Sequence, residues 1–415
     1  MPSTPSSPVR PATTLFVARV VYAFNWYNIG AVLPLVGASI GAGTAALGLI
    51  LGAFLVGVGL FQIPAGIAAL RWGARRVSLF GLILMGGSCL ASAFFPTLDG
   101  LIVTRFIAGV GAAFFFSPGL SLISSYYSEA RRGPVIGLYN GGFSLGGAAG
   151  LVGGLYLGTM FGWPAALAVG GAALLAMGLI AIRLLPLEDE GRHRRATVRE
   201  LLRESRPTLS SRSIWALALA LTGFWGAVYA VAQYFIDFAD KARPDWAPAA
   251  VGALVASFVV MSFPGGPVGG WIADRGYDRR LVVGVAGVVA SALVLVIGWT
   301  SFTSVWPVLL LLGFVDGIVF AVLYLIPSYL PESRGSSLAL GVALINSIQV
   351  ALGASLAIAF GFIAERTGYT WAWVFAGVTS FALLPLLFWV RANRADPTAR
   401  TRSRTSGAAP GPAGP

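Results

Sequence analysis

Two ionisable side chains interrupt long apolar stretches of this sequence: Arg105 in VTRFIAGVG and Asp316 in LGFVDGIVF. A charge inside such a stretch is rare and usually functional. The planar fork of Arg105 can grip a carboxylate or phosphate through two parallel hydrogen bonds. Asp316, with Gly317 beside it, can load and unload a proton as water reaches it from one side and then the other. Each residue also has a plainer reading. Arg105 can bond to backbone or to a polar group of the first apolar run, and Asp316 can serve a close helix contact. Arg19 lies near the start of that first run, close enough to its end to snorkel, and is set aside.

Amides and hydroxyls supply the remaining candidates. Tyr22, Asn25 and Asn28 lie in the first run, Asn140 in the fifth, Tyr324 in the tenth, and Asn346 with Gln349 in the eleventh. In the seventh run Thr222, Trp225, Tyr229, Gln233 and Asp237 recur at three or four residues, which places them on one helical face. That stripe cannot face lipid, so it is expected to face an internal site. Any single amide could instead join two helices, worth about 1 kcal/mol in a membrane. Trp26, Phe54, Phe61 and Phe116 could enclose a solute. No nucleophile stands beside a base, His193 is the single histidine, and Cys89 is the single cysteine. No enzyme chemistry, metal or cofactor is expected.

The elements that must carry these residues are helices that cross a bilayer. Only 11% of the residues are charged and 57% are hydrophobic, against about 25% charged in a soluble domain. Apolar runs near the ~20 residues needed to cross a bilayer recur at 14–36, 46–69, 77–96, 99–124, 134–158, 163–185, 213–236, 248–272, 281–300, 304–328, 336–362 and 370–391. Continuous apolar runs mean helices, since barrel strands would alternate. The sequence therefore predicts an all-α integral membrane protein. Residues 1–13 read as a disordered tail followed by an uncleaved first helix, 14–185 and 213–391 as two six-helix bundles, 186–212 as a linker, and 392–415 as a second disordered tail.

Basic residues set the expected orientation. Arg71, Arg75, Arg76, Arg275, Arg279 and Arg280, with the charged linker and tail, share one side with the N-terminus. The other side carries Lys241, Arg243 and Arg366. By the positive-inside rule the arginine-rich side and both termini are cytoplasmic, which places the chain in an inner membrane. The net charge of +12 then belongs beside anionic lipid, and nucleic acid is not expected as a partner.

The two bundles repeat one another. Gly66, Arg71, Arg75 and Arg76 recur 204 residues later as Gly270, Arg275, Arg279 and Arg280. Ser125 and Tyr126 recur at a displacement of 203 as Ser328 and Tyr329, and Asn140 and Gly147 at 206 as Asn346 and Gly353. Parallel repeats imply a pseudo-twofold axis along the membrane normal, with a solute site near the midplane between the halves.

With this repeat the sequence resembles the major facilitator superfamily, in its twelve-helix prokaryotic form. GIAALRWGARR at 66–76 is similar to the family's Gly-x-x-x-Asp-Arg-x-Gly-Arg-Arg loop, with Leu70 where the aspartate stands and Ala74 within the pattern. GWIADRGYDRR at 270–280 keeps Asp274 and has Tyr277 where glycine is usual. Arg105, Gly109 and Gly111 match an Arg-x-x-x-Gly-x-Gly pattern of the fourth helix. The resemblance implies a secondary transporter working by alternating access. It also implies a cytoplasmic latch of Gly66, Arg71, Arg75, Arg76, Gly270, Asp274, Arg275, Arg279 and Arg280, remade as the halves rock.

GLYNGGFSLGGAAG at 137–150 lacks the Gly-Pro-x-x-Gly-Gly of proton-driven exporters, which favours uptake or exchange. It resembles the asparagine-glycine text of nitrate porters, but their arginines in helices 2 and 8 have no counterpart here. The expected cargo is a small organic anion or polar metabolite, moved with protons by a monomer. Substrate contacts are expected from Arg105, Tyr22, Asn25, Asn140, Tyr229, Gln233, Tyr324, Asn346 and Gln349, and proton coupling from Asp316. A multidrug exporter is the first alternative. A non-transporting membrane receptor or scaffold is the second.

Overall fold

The structure, a computed structural model, describes residues 9–187, 206–323, 325–330 and 337–391. These residues form helices of a length and apolarity that cross a bilayer, twelve spans when one bent pair counts as a single crossing. They run α1 (Val9–Ala31, continued by Leu33–Ile40), α2 (Thr44–Trp72), α3 (Ala74–Ser92), α4 (Leu98–Tyr126), α5 (Glu129–Phe161) and α6 (Trp163–Leu184) in the first half. The second half holds α7 (Arg212–Ala242), α8 (Pro248–Asp274), α9 (Arg279–Val296), α10 (Phe302–Leu323), α11 (Ser337–Thr367) and α12 (Tyr369–Leu383). Short 3-10 turns follow α9, α10 and α12.

The expected spans fall on these helices, and the largest differences at their ends have physical causes. Helix α1 begins at Val9, inside the stretch expected to be a disordered tail. It bends by 53° at Val32, where Pro34 in the next turn cannot donate to the helix ladder. Helix α7 runs on past 236 to Ala242. Lys241 reads as a loop residue, yet at spacing i, i+4 it pairs with Asp237 at 3.0 Å and extends the helix past the apolar run. The linker residues 188–205 and the tail from 392 lie outside the described residues, as does Tyr324.

The repeat is visible in the packing. A Cβ on Gly109 of α4 would overlap the Phe54 carbonyl oxygen of α2, and one on Gly313 of α10 would overlap that of Phe258 in α8. Both pairs are displaced by 204. Small residues let these helix pairs cross at backbone distance. Arg75 donates to the Leu185 carbonyl at the end of α6 through Nε at 3.1 Å, and to that of Ile182. Arg280 donates to the Val390 carbonyl beyond α12 at 2.7 Å. Leu185 and Val390 are 205 residues apart. These loop arginines thus answer the free carbonyls that every helix leaves at its C-terminus.

Candidate functional site

The two halves meet along α2 with α11, α1 with α7, and α5 with α8. Polar contacts between them concentrate at the face away from the loop arginines. There α2 starts at Gly43, which has no side chain to cap the helix. Glu365 of α11 supplies the missing acceptor, taking a 2.8 Å hydrogen bond from the Ala45 N–H. A carboxylate in this position also meets the positive end of the helix dipole. Lys241 of α7 donates to the Thr44 hydroxyl at 2.9 Å, and the hydroxyl of Tyr369 in α12, which donates to the buried Asp237 of its own half, lies 3.5 Å from the same Thr44 hydroxyl. Deeper in, Gly59 of α2 touches Ala351 of α11 so closely that a Cβ would come within 2.6 Å of its backbone nitrogen. Ser347 donates to the Gly59 carbonyl beside it. This face of the molecule is closed.

Below the closure, buried polar atoms of both halves lack partners among the described residues. They include Nε and Nη1 of Arg19, Nε and Nη2 of Arg105, Oδ1 of Asn25 and Asn28, the Tyr229 hydroxyl, Gln233 Oε1 and both amide atoms of Gln349. Such atoms are costly away from water and mark places for a polar occupant or ordered water.

Arg105 is fully buried in the first half. Its Nη1 donates to the Asn25 carbonyl at 3.4 Å and approaches the Cys89 sulfur at 3.8 Å, while the guanidinium stacks 4.5 Å from the Phe54 ring centre. Tyr229 of the other half lies within its electrostatic reach and stacks on Trp225 at 5.3 Å. Gln233 crosses between the halves, its Nε2 donating to the Trp26 carbonyl at 3.0 Å. Gln349 is fully buried on α11. Asn140 is half-buried on α5, and Tyr22 and Asn346 are buried.

The Asn25 amide nitrogen donates to the Val21 carbonyl at 2.9 Å and to that of Gly170 in α6 at 2.8 Å, joining helices of one half, while its Oδ1 is buried without a partner among the described residues. Asn28 does the same through the Ala166 carbonyl at 3.2 Å.

Asp316 is half-buried on α10. Its neighbour Gly317 is pressed against the Ser262 carbonyl of α8, the close helix contact its sequence context suggested. The carboxylate has no ion pair or hydrogen bond among the described residues. Tyr27 of α1 lies within electrostatic reach of Asp316, Tyr229, Arg19 and Tyr22, so this hydroxyl sits among charged groups from both halves.

The loop residues expected to latch the halves act within one half wherever their bonds are described. Besides Arg75 and Arg280, Arg279 donates to the Ala273 carbonyl at 3.3 Å and Arg275 stacks 3.8 Å from the Trp271 ring centre. Arg71 lies 6.0 Å from the Trp72 ring centre. Asp274 ends α8, while Gly66 and Gly270 have open space where a side chain would project.

Arg19 and Tyr27 were missed by sequence reasoning. Arg19 does not snorkel. It is buried among four aromatic rings, two of them supplied by α5, more than a hundred residues away.

The family model of the Major Facilitator Superfamily matches residues 15–354 and 244–413. The chain belongs to the major facilitator superfamily. It is therefore a multi-pass membrane transporter and not an enzyme, as its helices and repeat imply. It is 24% identical over 380 residues to the 4-hydroxybenzoate transporter PcaK of Pseudomonas putida, covering 81% of this chain and 83% of that protein. It is 28% identical over 285 residues to the nitrite extrusion protein of Bacillus subtilis (strain 168), covering 66% and 68%. Among solved structures, a bacterial homolog of the human lysosomal transporter Spinster, in an inward-facing and occupied conformation, superposes with a TM-score of 0.75 at 15% identity. It covers 94% of this chain and 100% of that one. That likeness supports the superfamily fold, with its two bundles about a pseudo-twofold axis.

Proposed function

We propose that this superfamily member carries a small organic anion across the inner membrane together with protons, by alternating access. One observation carries the reading: the interior of the first half buries two guanidiniums, Arg19 and Arg105, with no carboxylate paired to either among the described residues. A membrane interior tolerates unpaired cations poorly, so a transported anion is the natural partner. Its similarity to a 4-hydroxybenzoate transporter supports the same class.

Asp316 supplies the coupling. An anion entering the layer that Tyr27 shares with Asp316 would meet an unpaired carboxylate, and protonating that carboxylate removes the repulsion. Anion binding and proton uptake therefore favour each other, and release of one favours release of the other. The face closed by Glu365, Lys241 and Tyr369 is the external one, by the arginine asymmetry, so this conformation opens toward the cytoplasm. Tyr229, Gln233, Asn346 and Gln349 contact the solute from the second half, and Tyr22 and Asn140 from the first. The loop motif works as a latch in the opposite conformation, with its arginines capping helix ends in this one.

The test is transport of labelled 4-hydroxybenzoate in proteoliposomes, corrected for protein-free vesicles. Asp316→Asn is expected to abolish accumulation driven by a pH gradient while keeping exchange of labelled for unlabelled substrate. Gradient-driven accumulation at the unmodified rate would remove Asp316 from coupling. The aromatic cluster around Trp26 also favours a second reading, export of lipophilic compounds. Raised resistance to several unrelated drugs on expression would select it.

A further inference from the structure

Arg19 is 4% exposed. Its guanidinium carbon lies 4.6 Å from the ring centre of Tyr22, 4.7 Å from Phe116, 5.0 Å from Tyr139 and 4.5 Å from Phe143. Three helices, α1, α4 and α5, build this box. Ring faces stabilise the cation electrostatically. They do not replace the hydrogen bonds that its N–H groups lose on leaving water. Nε and Nη1 are sealed and lack an acceptor among the described residues, and the phenols of Tyr22 and Tyr139 in the box bring no negative charge to balance the cation. What the box lacks is a carboxylate, which would supply both acceptors and the counter-charge.

The aromatic wall continues from the box. Tyr22 lies 5.2 Å from Phe115 and 5.6 Å from Trp26, and Trp26 lies 5.7 Å from Phe143 and meets the edge of Phe54 at 4.7 Å. Such a surface prefers a flat ring set edge-on or offset against it. Arg105 lies at the far end of the same wall, stacked on Phe54, with Nη1 donating to the α1 backbone at Asn25 and Nε and Nη2 without partners among the described residues. Arg19 donates to no backbone carbonyl among the described residues and stands inside the ring box, which makes it the arginine placed to meet a carboxylate whose ring lies on this wall.

We propose that Arg19 is the carboxylate-binding residue of a site for planar aromatic monocarboxylates, with the ligand ring packed on the Tyr22, Trp26 and Phe143 wall. The proposal rests on the organic-anion reading and adds which arginine binds and what body the anion carries.

The test is calorimetric titration of the full-length protein in lipid nanodiscs with benzoate, acetate and benzamide. The unmodified protein binds benzoate at least about tenfold more tightly than acetate or benzamide. Arg19→Gln weakens benzoate about 30-fold, the scale of a lost charge-assisted pair, and leaves benzamide unchanged. Arg19→Lys, which keeps the charge and guards against a folding defect in the glutamine variant, retains benzoate within about tenfold. Arg105→Gln lowers the melting temperature and moves benzoate affinity less than Arg19→Gln does. Benzoate binding by Arg19→Gln at the unmodified affinity overturns the assignment of Arg19 and leaves the organic-anion reading standing. Equal affinity for acetate and benzoate overturns the aromatic body. Absence of binding by any carboxylate overturns both readings.

Discussion

Gln349 and Asn25 are both buried amides in membrane helices, and their hydrogen bonding differs. The Asn25 nitrogen donates to two carbonyls of its own half while its Oδ1 has no partner among the described residues, so Asn25→Ala should cost about 1 kcal/mol of stability and change substrate affinity less than a substitution at Gln349. Thermal melts and binding isotherms of one preparation would check both parts. Gln349 satisfies neither amide atom within the protein. Replacing an unsatisfied buried amide with leucine of similar volume removes a desolvation cost. Gln349→Leu is therefore expected to raise the melting temperature or leave it unchanged, while weakening substrate binding about tenfold, the effect of one lost hydrogen bond to a charged group. A destabilised variant with full affinity would assign Gln349 to packing. At this scale the sequence exposes Arg105 and Asp316, because a charge in an apolar run stands out whatever surrounds it. It hides Arg19, because distance from a helix end says nothing about which rings fold over a side chain. Asn25 and Gln349 look alike in sequence for the same reason: their partners, or the lack of them, belong to other helices.

Helices α2 and α11 form the closed face, and their contact is the element whose equilibrium transport must reverse. Gly59 permits the approach, since a Cβ would sit 2.6 Å from the Ala351 backbone nitrogen. Gly59→Ala should wedge the pair and populate the conformation open at that face. Spin labels at the exposed positions Ser39 and Thr367 would report a longer distance distribution, and an unchanged one would show that the contact is not limiting. Glu365 caps the first turn of α2 from the opposite half, so Glu365→Gln should shift the same equilibrium by less, about 0.5–1 kcal/mol for an exposed cap at a helix dipole. The spans themselves are legible in sequence, because ~20 consecutive apolar residues leave little else for the chain to do. The ends of α1 and α7 are not. A 53° bend needs Pro34 to be read in context, and Lys241 looks like loop until it is seen paired with Asp237.

The whole molecule is two copies of one six-helix unit. The 204-residue displacement shows it in sequence, and the matched crossings at Gly109 and Gly313 show it in packing. An axis along the membrane normal exchanges the two bundles and leaves each membrane face on its own side, so the repeat fixes how the bundles pair and not which face is closed. Which face is closed depends on contacts such as Ala45 with Glu365, which join residues 320 positions apart and leave no local pattern. The arginine loops mark one side in either state and say nothing of which face is closed.

If an organic anion and a proton cross together, a trapped pH indicator in proteoliposomes registers the proton. With no initial pH gradient and the membrane potential clamped, external 4-hydroxybenzoate should acidify the lumen faster than in protein-free vesicles, and Asp316→Asn should remove that excess. Protein-dependent entry of labelled 4-hydroxybenzoate without any excess acidification would show that the anion crosses without a proton.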